Sequence, residues 1–485
     1  MRSIYFLFLV FFIITGCVSR SDYTSRATPA QRVDLSISEE KALASNDFDL
    51  GQWPSREWWK RFNDPALTDC VELAIENNPS LKSAQSKVAE AFEQANITRA
   101  KLFPWLSLTA DDMWEHHGTN TFDRFTPGST RVNENIIQLF LNFNFDFDLW
   151  GKNRDAFKAA IGRAKSQLAD QEMATLVISI AVAKEYFSLM AYWTKNDLLR
   201  DQLRERLRKL DVQISRFENE LDPLMTPLSE DIDVQVLKNE IDQNVNEIEL
   251  TIYRIKVLMG LSPDDEYRFD RRWDYDEHHV EIPENIGLGL VARRPDLRAQ
   301  IWLVEAAAKE IGVARKAFYP DLNLVAQGGL ESFFMHNFFK SQSLTGFLNP
   351  AVNLPLFERG ALKGRLGAKK AAFEAAVYKY NSMVLSAAEE VSSQISNIIS
   401  INKQIRNQFT QVKDQSGVFD LRMSRFTVGV DTILTVLDAS DTLYTKKIEA
   451  LSFEWASYMK SLQLIQALGG GYHTEQDFTY HEVER

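Results

Sequence analysis

The chain has 485 residues, 45% of them hydrophobic, and a formal net charge of −12. That length supports a large folded structure without covalent staples, and the acidic balance excludes nucleic acid as a partner. Its two cysteines, Cys17 and Cys70, leave no intrachain disulfide framework once Cys17 is assigned to the motif below.

The first predicted element is a signal. Arg2 precedes IYFLFLVFFII, and Thr15, Gly16 and Cys17 follow. A positive start, a short apolar core and a small residue before the cut describe a secretory signal peptide over 1–16. ITGC has the form of a bacterial lipobox, so Cys17 is expected to be the lipidated first residue of the mature protein. Val18 at the next position, in place of Asp, points to sorting onward to the outer membrane. Residues 17–60 read as a polar, Ser-rich tether. Trp53, Trp58 and Trp59 lie at its end and are expected to pack on helices. Beyond Cys17 no apolar run approaches 18 residues; ATLVISIAVA, 174–183, is the greasiest. Any membrane span is therefore expected to be β, since only helices and closed barrels satisfy their backbone in lipid.

The body then repeats itself. NNPSLKSAQ resembles RRPDLRAQ, and AKLFPWLSL resembles KAFYPDLNL; Pro79 matches Pro295 and Pro104 matches Pro320 at one offset, 216. The reading is two units, 61–270 and 287–471, joined by a linker over 271–286 and followed by a tail over 472–485. In each, a helix (about 66–101 and 287–318) ends at a proline and two strands follow. Very long helical tracts come next (about 153–215 and 361–425), poor in glycine and free of proline. At 1.5 Å per residue each is about 90–100 Å long. Return helices (228–260 and 432–467) make them hairpins, and helices of this length pack as coiled coils.

The strands are predicted at about 105–117, 136–148, 321–332 and 344–356. In IIQLFLNFNFDFD, Leu139, Leu141, Phe143, Phe145 and Phe147 alternate with Gln138, Asn142, Asn144, Asp146 and Asp148. A period of two separates two faces, one apolar and one wet. Four strands are too few to close a barrel, so several chains are expected to pool them, with Asn142, Asn144, Asp146 and Asp148 toward a water-filled lumen.

Taken together, the lipobox, the duplicated strand pairs and the long helices resemble the outer-membrane channel family of TolC, in its lipoprotein branch (the OprM-like outer-membrane factors). WWKRFNDPALTDCVELAIENNPSL, RRPDLRAQ, FYPDLNL, RFTVGVDTILTVLDAS and LIQALGGGY carry the resemblance, which covers about 53–471. It implies an α+β membrane protein, a homotrimer whose twelve-stranded barrel, four strands from each chain, continues into a helical periplasmic tunnel. It also implies the role of exit duct in a tripartite efflux pump, with a periplasmic adaptor and a usually proton-driven inner-membrane transporter as partners. No reaction is catalysed and no cofactor beyond the lipid on Cys17 is expected.

At the presumed periplasmic tip, Gly429 supplies a positive φ and Asp431 follows. The resemblance makes Asp431 an axial gate, three copies of which form a ring of like charge that attracts cations. The other reading is an N-cap for the helix starting near Thr432. Asp438 and Asp441 read as helix-surface charges. The first tip, ENELDPLMTPLSED, carries about four extra residues with Pro223 and Pro227, and is expected to be a broader, stiffer loop. Arg216, Pro223, Pro227, Gly429 and Val430 are the expected adaptor-docking residues.

Adjacent histidines, His116–His117 and His278–His279, read as solvent-exposed, and Gly469–Gly471 as a helix C-cap with no phosphate-binding lysine after it. Three alternatives remain: a channel for type I protein secretion, a structural coiled-coil lipoprotein without a pore, and a periplasmic enzyme. The last has no nucleophile–base pair in the sequence to support it.

Overall fold

A computed structural model describes residues 26–45, 47–116, 133–271, 280–283 and 285–472. Cys17, the signal peptide and the tail from 473 lie outside the described residues. The chain is mostly helical with some sheet. Its helices are α1 (Ser36–Ala44), α2 (Pro65–Asn77), α3 (Pro79–Ala100), α4 (Lys152–Glu218), α5 (Met225–Leu258), α6 (Ile286–Arg293), α7 (Pro295–Lys316), α8 (Ala361–Thr427) and α9 (Ile433–Ala467). The strands are β1 (Phe48–Gly51), β2 (Trp105–His116), β3 (Asn133–Phe147), β4 (Val280–Pro283), β5 (Asp321–Ser332) and β6 (Leu344–Asn353).

Each of the two helices expected before the strand pairs is broken in two. Pro79 and Pro295 cannot donate to the preceding turn and hold the residue before them extended. Asn78 sits at φ −60° and ψ 122°, and Arg294 at φ −99° and ψ 122°. Asn78 restarts the helix itself, its Oδ1 accepting the amide of Ser80 at 2.8 Å.

The chain divides into two units. The first comprises Met1–Thr28, Val88–Ser166 and Gln300–Lys379. It holds a four-stranded sheet in the order β2-β3-β5-β6, antiparallel throughout. Below the strands, α4 and α7 approach closely: a Cβ added at Gly162 would lie 3.1 Å from that of Ala306. Lys316 ties the start of α4 to α7, its Nζ donating to Asp155 at 2.5 Å and to the Gly151 carbonyl at 3.1 Å.

The second unit comprises Pro29–Lys87, Gln167–Ala299 and Tyr380–Arg485. Its core gathers Trp58, Trp59, Leu67, Cys70, Tyr186, Met190, Ile255 and Leu462. Leu176, Ile180, Val182 and Ala183 of ATLVISIAVA are buried in it. By length and composition α4 does contain a stretch apolar enough to cross a membrane, contrary to the sequence reading, and half of that stretch is buried inside the chain. Asp64 caps α2, its Oδ1 accepting from Ala66 and Leu67, while its Oδ2 takes the Tyr186 hydroxyl at 2.7 Å. Arg294, 6% exposed, donates to Asp296, to Glu390 and to the carbonyl of Ala467.

The N-terminal segment is not a free tether where it is described. Its groups bond to α8 in register: Ala30 to Asn381, Ser38 to Ser392, Lys41 to Ser396 and Asp47 to Arg406. It ends in β1, which pairs in parallel with β4, Phe48 opposite Val280.

Candidate functional site

The four-stranded sheet has two chemically distinct faces, and the register assigns every residue to one. Directly paired residues of an antiparallel ladder share a face. Phe143 is paired with Leu106 and Ala326, Leu141 with Leu108, Phe145 with Leu324, and Phe147 with Leu322. This apolar face runs along β3 from Ile137 to Phe147, about 34 Å of strand at 3.4 Å per residue. With the tilt of a membrane barrel that is about 25 Å, the height of a barrel's lipid-facing band.

The opposite face is polar and internally hydrogen-bonded. Asn142 donates to Thr109 at 3.1 Å and accepts from Gln327 at 2.8 Å. Asn323 donates to Asp146 at 2.6 Å, and Gln138 to Glu331 at 2.8 Å. Asn144 lies on the same face, paired with Trp105 and Val325. The face is interrupted by Phe140, whose ring lies over Gly329. A Cβ there would meet Phe140 Cδ1 at 2.8 Å, so only glycine lets the ring cover the strand.

Asp148 departs from this set. It follows the end of β3, and its carboxylate accepts the amides of Asn153 at 3.0 Å and Arg154 at 2.9 Å. It caps the start of α4, where unpaired amides favour a carboxylate, rather than extending the polar face.

The two hairpin tips have one design. At the end of α8, Gly429 donates to the Phe426 carbonyl and Val430 to that of Arg425, both at 2.9 Å. At the end of α4, Glu220 donates to Phe217 and Leu221 to Arg216, again both at 2.9 Å. Gly429 has φ +77° and Glu220 φ +60°, so a glutamate occupies the left-handed position that glycine fills in the other tip.

Each tip also ties an arginine to an aspartate six residues on. Arg425 donates to Asp431 from Nε at 2.9 Å and Nη2 at 3.1 Å, and Arg422 adds a third bond at 3.0 Å. Arg216 donates to Asp222 from Nε at 2.6 Å and Nη2 at 3.0 Å. Hydrogen bonding to Arg425 holds the Asp431 carboxyl below its usual range, and bonding to Arg216 does the same for Asp222. Asp431 is therefore not the N-cap of α9. That position is Thr432, which makes no side-chain cap bond. Nor is Asp431 a bare negative charge, since two guanidinium groups face it.

The first tip is not the broad loop expected from its extra residues. Residues 219–224 join α4 to α5, against 428–432 for α8 to α9, a difference of one. The surplus is absorbed in α5, whose first turn accepts Pro227 because no intrahelical donor is required there. Pro227 is buried, which withdraws it from a docking surface, whereas Pro223 is exposed. Leu221, Leu224 and Met225 in one tip and Val428 and Val430 in the other are exposed apolar residues.

Asp438 is exposed, as a helix-surface charge should be, whereas Asp441 is partly buried, and both are paired. Arg206 of α4 grips Asp441 with Nε and Nη2, both at 2.8 Å, and reaches Asp233 at 2.9 Å. Lys209 bridges Asp438 at 2.9 Å and the buried Glu230 at 2.6 Å. Among the described residues no group of His, Cys, Asp and Glu could hold a metal.

Sequence reasoning missed Thr109, Gln327 and Asn323, although alternation in β2 and β5 carries them. It also missed the arginine–aspartate spacing of six, which both hairpins display.

These features have counterparts among known proteins. Residues 70–225 and 290–470 match the outer membrane efflux protein family. The chain belongs to that family. The multidrug resistance outer membrane protein MdtP of Escherichia coli is 26% identical over 474 residues, which cover 95% of this chain and 94% of that one. The outer membrane protein VceC of Vibrio cholerae superposes with a TM-score of 0.76 at 27% identity, over 87% of this chain and 100% of that one. The Campylobacter jejuni CmeC outer membrane channel gives 0.79 at 20% identity, over 90% and 92%. The protein is an outer-membrane efflux channel, and members of this kind are channels rather than enzymes.

Proposed function

We propose that three copies of this chain form the outer-membrane exit duct of a tripartite efflux pump, passing multidrug-type small molecules received from an inner-membrane transporter through a periplasmic adaptor. The observation that carries the reading is the open four-stranded sheet with one apolar and one amide- and carboxylate-lined face. Its outer strands, β2 and β6, each leave one edge without a partner strand among the described residues. Exposed edges invite pairing with another copy, and closure of twelve strands removes them. Asn142, Asn144 and Asp146 then line the lumen, and the apolar face meets lipid. The long helical hairpins extend into the periplasm, lipid on Cys17 anchors the N-terminus, and the transporter is proton-driven.

The tips are the docking end. Arg216, Pro223, Gly429 and Val430 flank the exposed apolar residues of the two turns, a surface suited to an adaptor. Asp431 is the gate residue, held closed by its arginines rather than by repulsion alone.

A charge scan of β3 tests the barrel. Phe143→Lys or Leu141→Lys is expected to abolish insertion, each costing about 2–4 kcal/mol at the bilayer midplane. Asn142→Lys and Asn144→Lys are expected to leave insertion intact. Equal tolerance on both faces would exclude a lipid-facing sheet and favour a coiled-coil lipoprotein without a pore.

A further inference from the structure

The two repeats treat the junction of strand and helix differently. Gly151 precedes α4 at φ +77° and Gly360 precedes α8 at φ +84°, so the two turns align. Three residues before the first glycine stands Asp148, which caps α4, and four after it stands Asp155, which holds Lys316. The corresponding places in the second repeat are Phe357 and Gly364. Between Asn353 and Glu374 the sequence carries Arg359, Lys363, Arg365, Lys369 and Lys370 against one carboxylate, Glu358. Cations in the first turn of a helix oppose its dipole, so this surplus does not serve α8.

Two of the cations around this junction share one side. The N-terminal segment lies against α8 here, the Arg26 amide donating to Glu374 at 3.4 Å. Lys363 is eleven residues before Glu374, three turns, and therefore on the same face. That face is the outer one, because the segment leads back to Cys17 and its expected lipid. Arg365, nine residues before Glu374, is on the opposite face. Glu310 of α7 bonds Lys369 on that inner side, and Arg315, five residues on from Glu310, lies across α7 from it. Arg359 sits in the turn before α8. The side chains of Arg315, Arg359 and Lys363 are exposed and form no hydrogen bond or ion pair among the described residues.

The apolar face of the sheet runs straight into this patch. Phe147 is paired with Leu322 and Leu322 with Val352, and the exposed Leu356 and Phe357 follow just before Arg359. Trp150 stacks on Tyr319 at 5.0 Å, an aromatic pair at the level where a membrane meets water. Nine residues separate Arg26 from Cys17, a reach of up to about 30 Å. The start of α8 is thirteen residues from Glu374, about 20 Å, so lipid on Cys17 reaches a bilayer whose edge lies at the patch.

We infer that Arg315, Arg359 and Lys363 form a docking surface for anionic phospholipid in the inner leaflet of the outer membrane. The cations meet the lipid phosphate, and Val352, Leu356 and Phe357 meet its acyl chains. This inference rests on the reading of the apolar face as lipid-facing.

The test uses the full-length lipidated protein in phosphatidylcholine vesicles, with spin-labelled phosphatidylglycerol or spin-labelled phosphatidylcholine as the probe. Electron spin resonance separates lipid held at the protein from bulk lipid. The anionic probe should be favoured about threefold at the protein in about 0.1 M salt. Arg315→Gln, Arg359→Gln and Lys363→Gln together should bring the two probes level, and Arg365→Gln should not. Should the triple change prevent insertion, Lys363→Gln alone should remove part of the preference. Exchanging chloride for inorganic phosphate at constant ionic strength should leave the preference in place; its loss would mark a free-phosphate site and overturn the inference. A preference that survives the triple change, or falls as far with Arg365→Gln, overturns it too while leaving the lipid-facing sheet intact. If neither probe is held at the protein, the reading of the apolar face itself fails.

Discussion

Arg425 holds Asp431 through two hydrogen bonds, at 2.9 and 3.1 Å, across the turn that joins α8 to α9. The bond fixes the charge state of the tip over the physiological range. A carboxylate whose pKa falls on folding contributes stability above its ordinary range, and loses it only as pH drops through the lowered value. For Asp431, held low chiefly by Arg425, that loss starts in the usual carboxylate range and is complete only below it. Hydrogen exchange across 425–432, corrected for intrinsic rates, should therefore show equal protection at pH 5 and pH 8. Arg425→Ala should raise exchange there at both.

The two turns predict unequal responses to a change of side chain at the left-handed position. Gly429→Ala puts a Cβ on a left-handed residue and should cost about 1 kcal/mol. Glu220→Gly relieves the same strain but gains unfolded-state entropy, so its net effect should stay within about 0.5 kcal/mol. Thermal melts of the purified protein check both; a loss of equal size in each would contradict the equivalence of the tips.

Cys70 should be chemically silent. It is buried against Tyr267, whose hydroxyl lies 3.6 Å from its sulfur, and burial pushes the thiol up to about 11. At pH 8 it is a neutral thiol out of reach of reagents. Maleimide should label it only after denaturation, and labelling of the folded protein would show that this core opens.

That the chain is mostly helical with some sheet was legible in two signals, the period of two in the strands and the proline-free tracts of Ala, Gln, Lys, Glu and Leu. What escaped was non-local. Nothing around Phe48 announces Val280 as its partner, and nothing around Arg206 announces Asp441. Pro227 misled because proline is read as a loop residue, yet a first helical turn accommodates it. Glu220 gave no sign of a left-handed turn because only glycine advertises one. The arginine–aspartate spacing in both hairpins was visible, but its meaning depends on a turn that brings residues six apart into contact.

Asp64 joins two elements through one carboxylate, capping α2 and accepting from Tyr186 of α4. Asp64→Ala should cost about 2–3 kcal/mol, the cap and the abandoned hydroxyl together, while Tyr186→Phe should cost about 1 kcal/mol. Melting of the two variants side by side would show the order; a larger loss from Tyr186→Phe would mean that the cap is not what Asp64 supplies.

The central claim is that copies of this chain close into a water-filled passage. Single-channel recording of the purified, lipidated protein in a planar bilayer tests it most directly, with Arg425→Ala beside the wild type. The account predicts discrete conductance steps from a trimer, small in the wild type and larger once Arg425 is gone and only Arg422 still holds Asp431. Trimers that insert and never conduct, in either form, would contradict it.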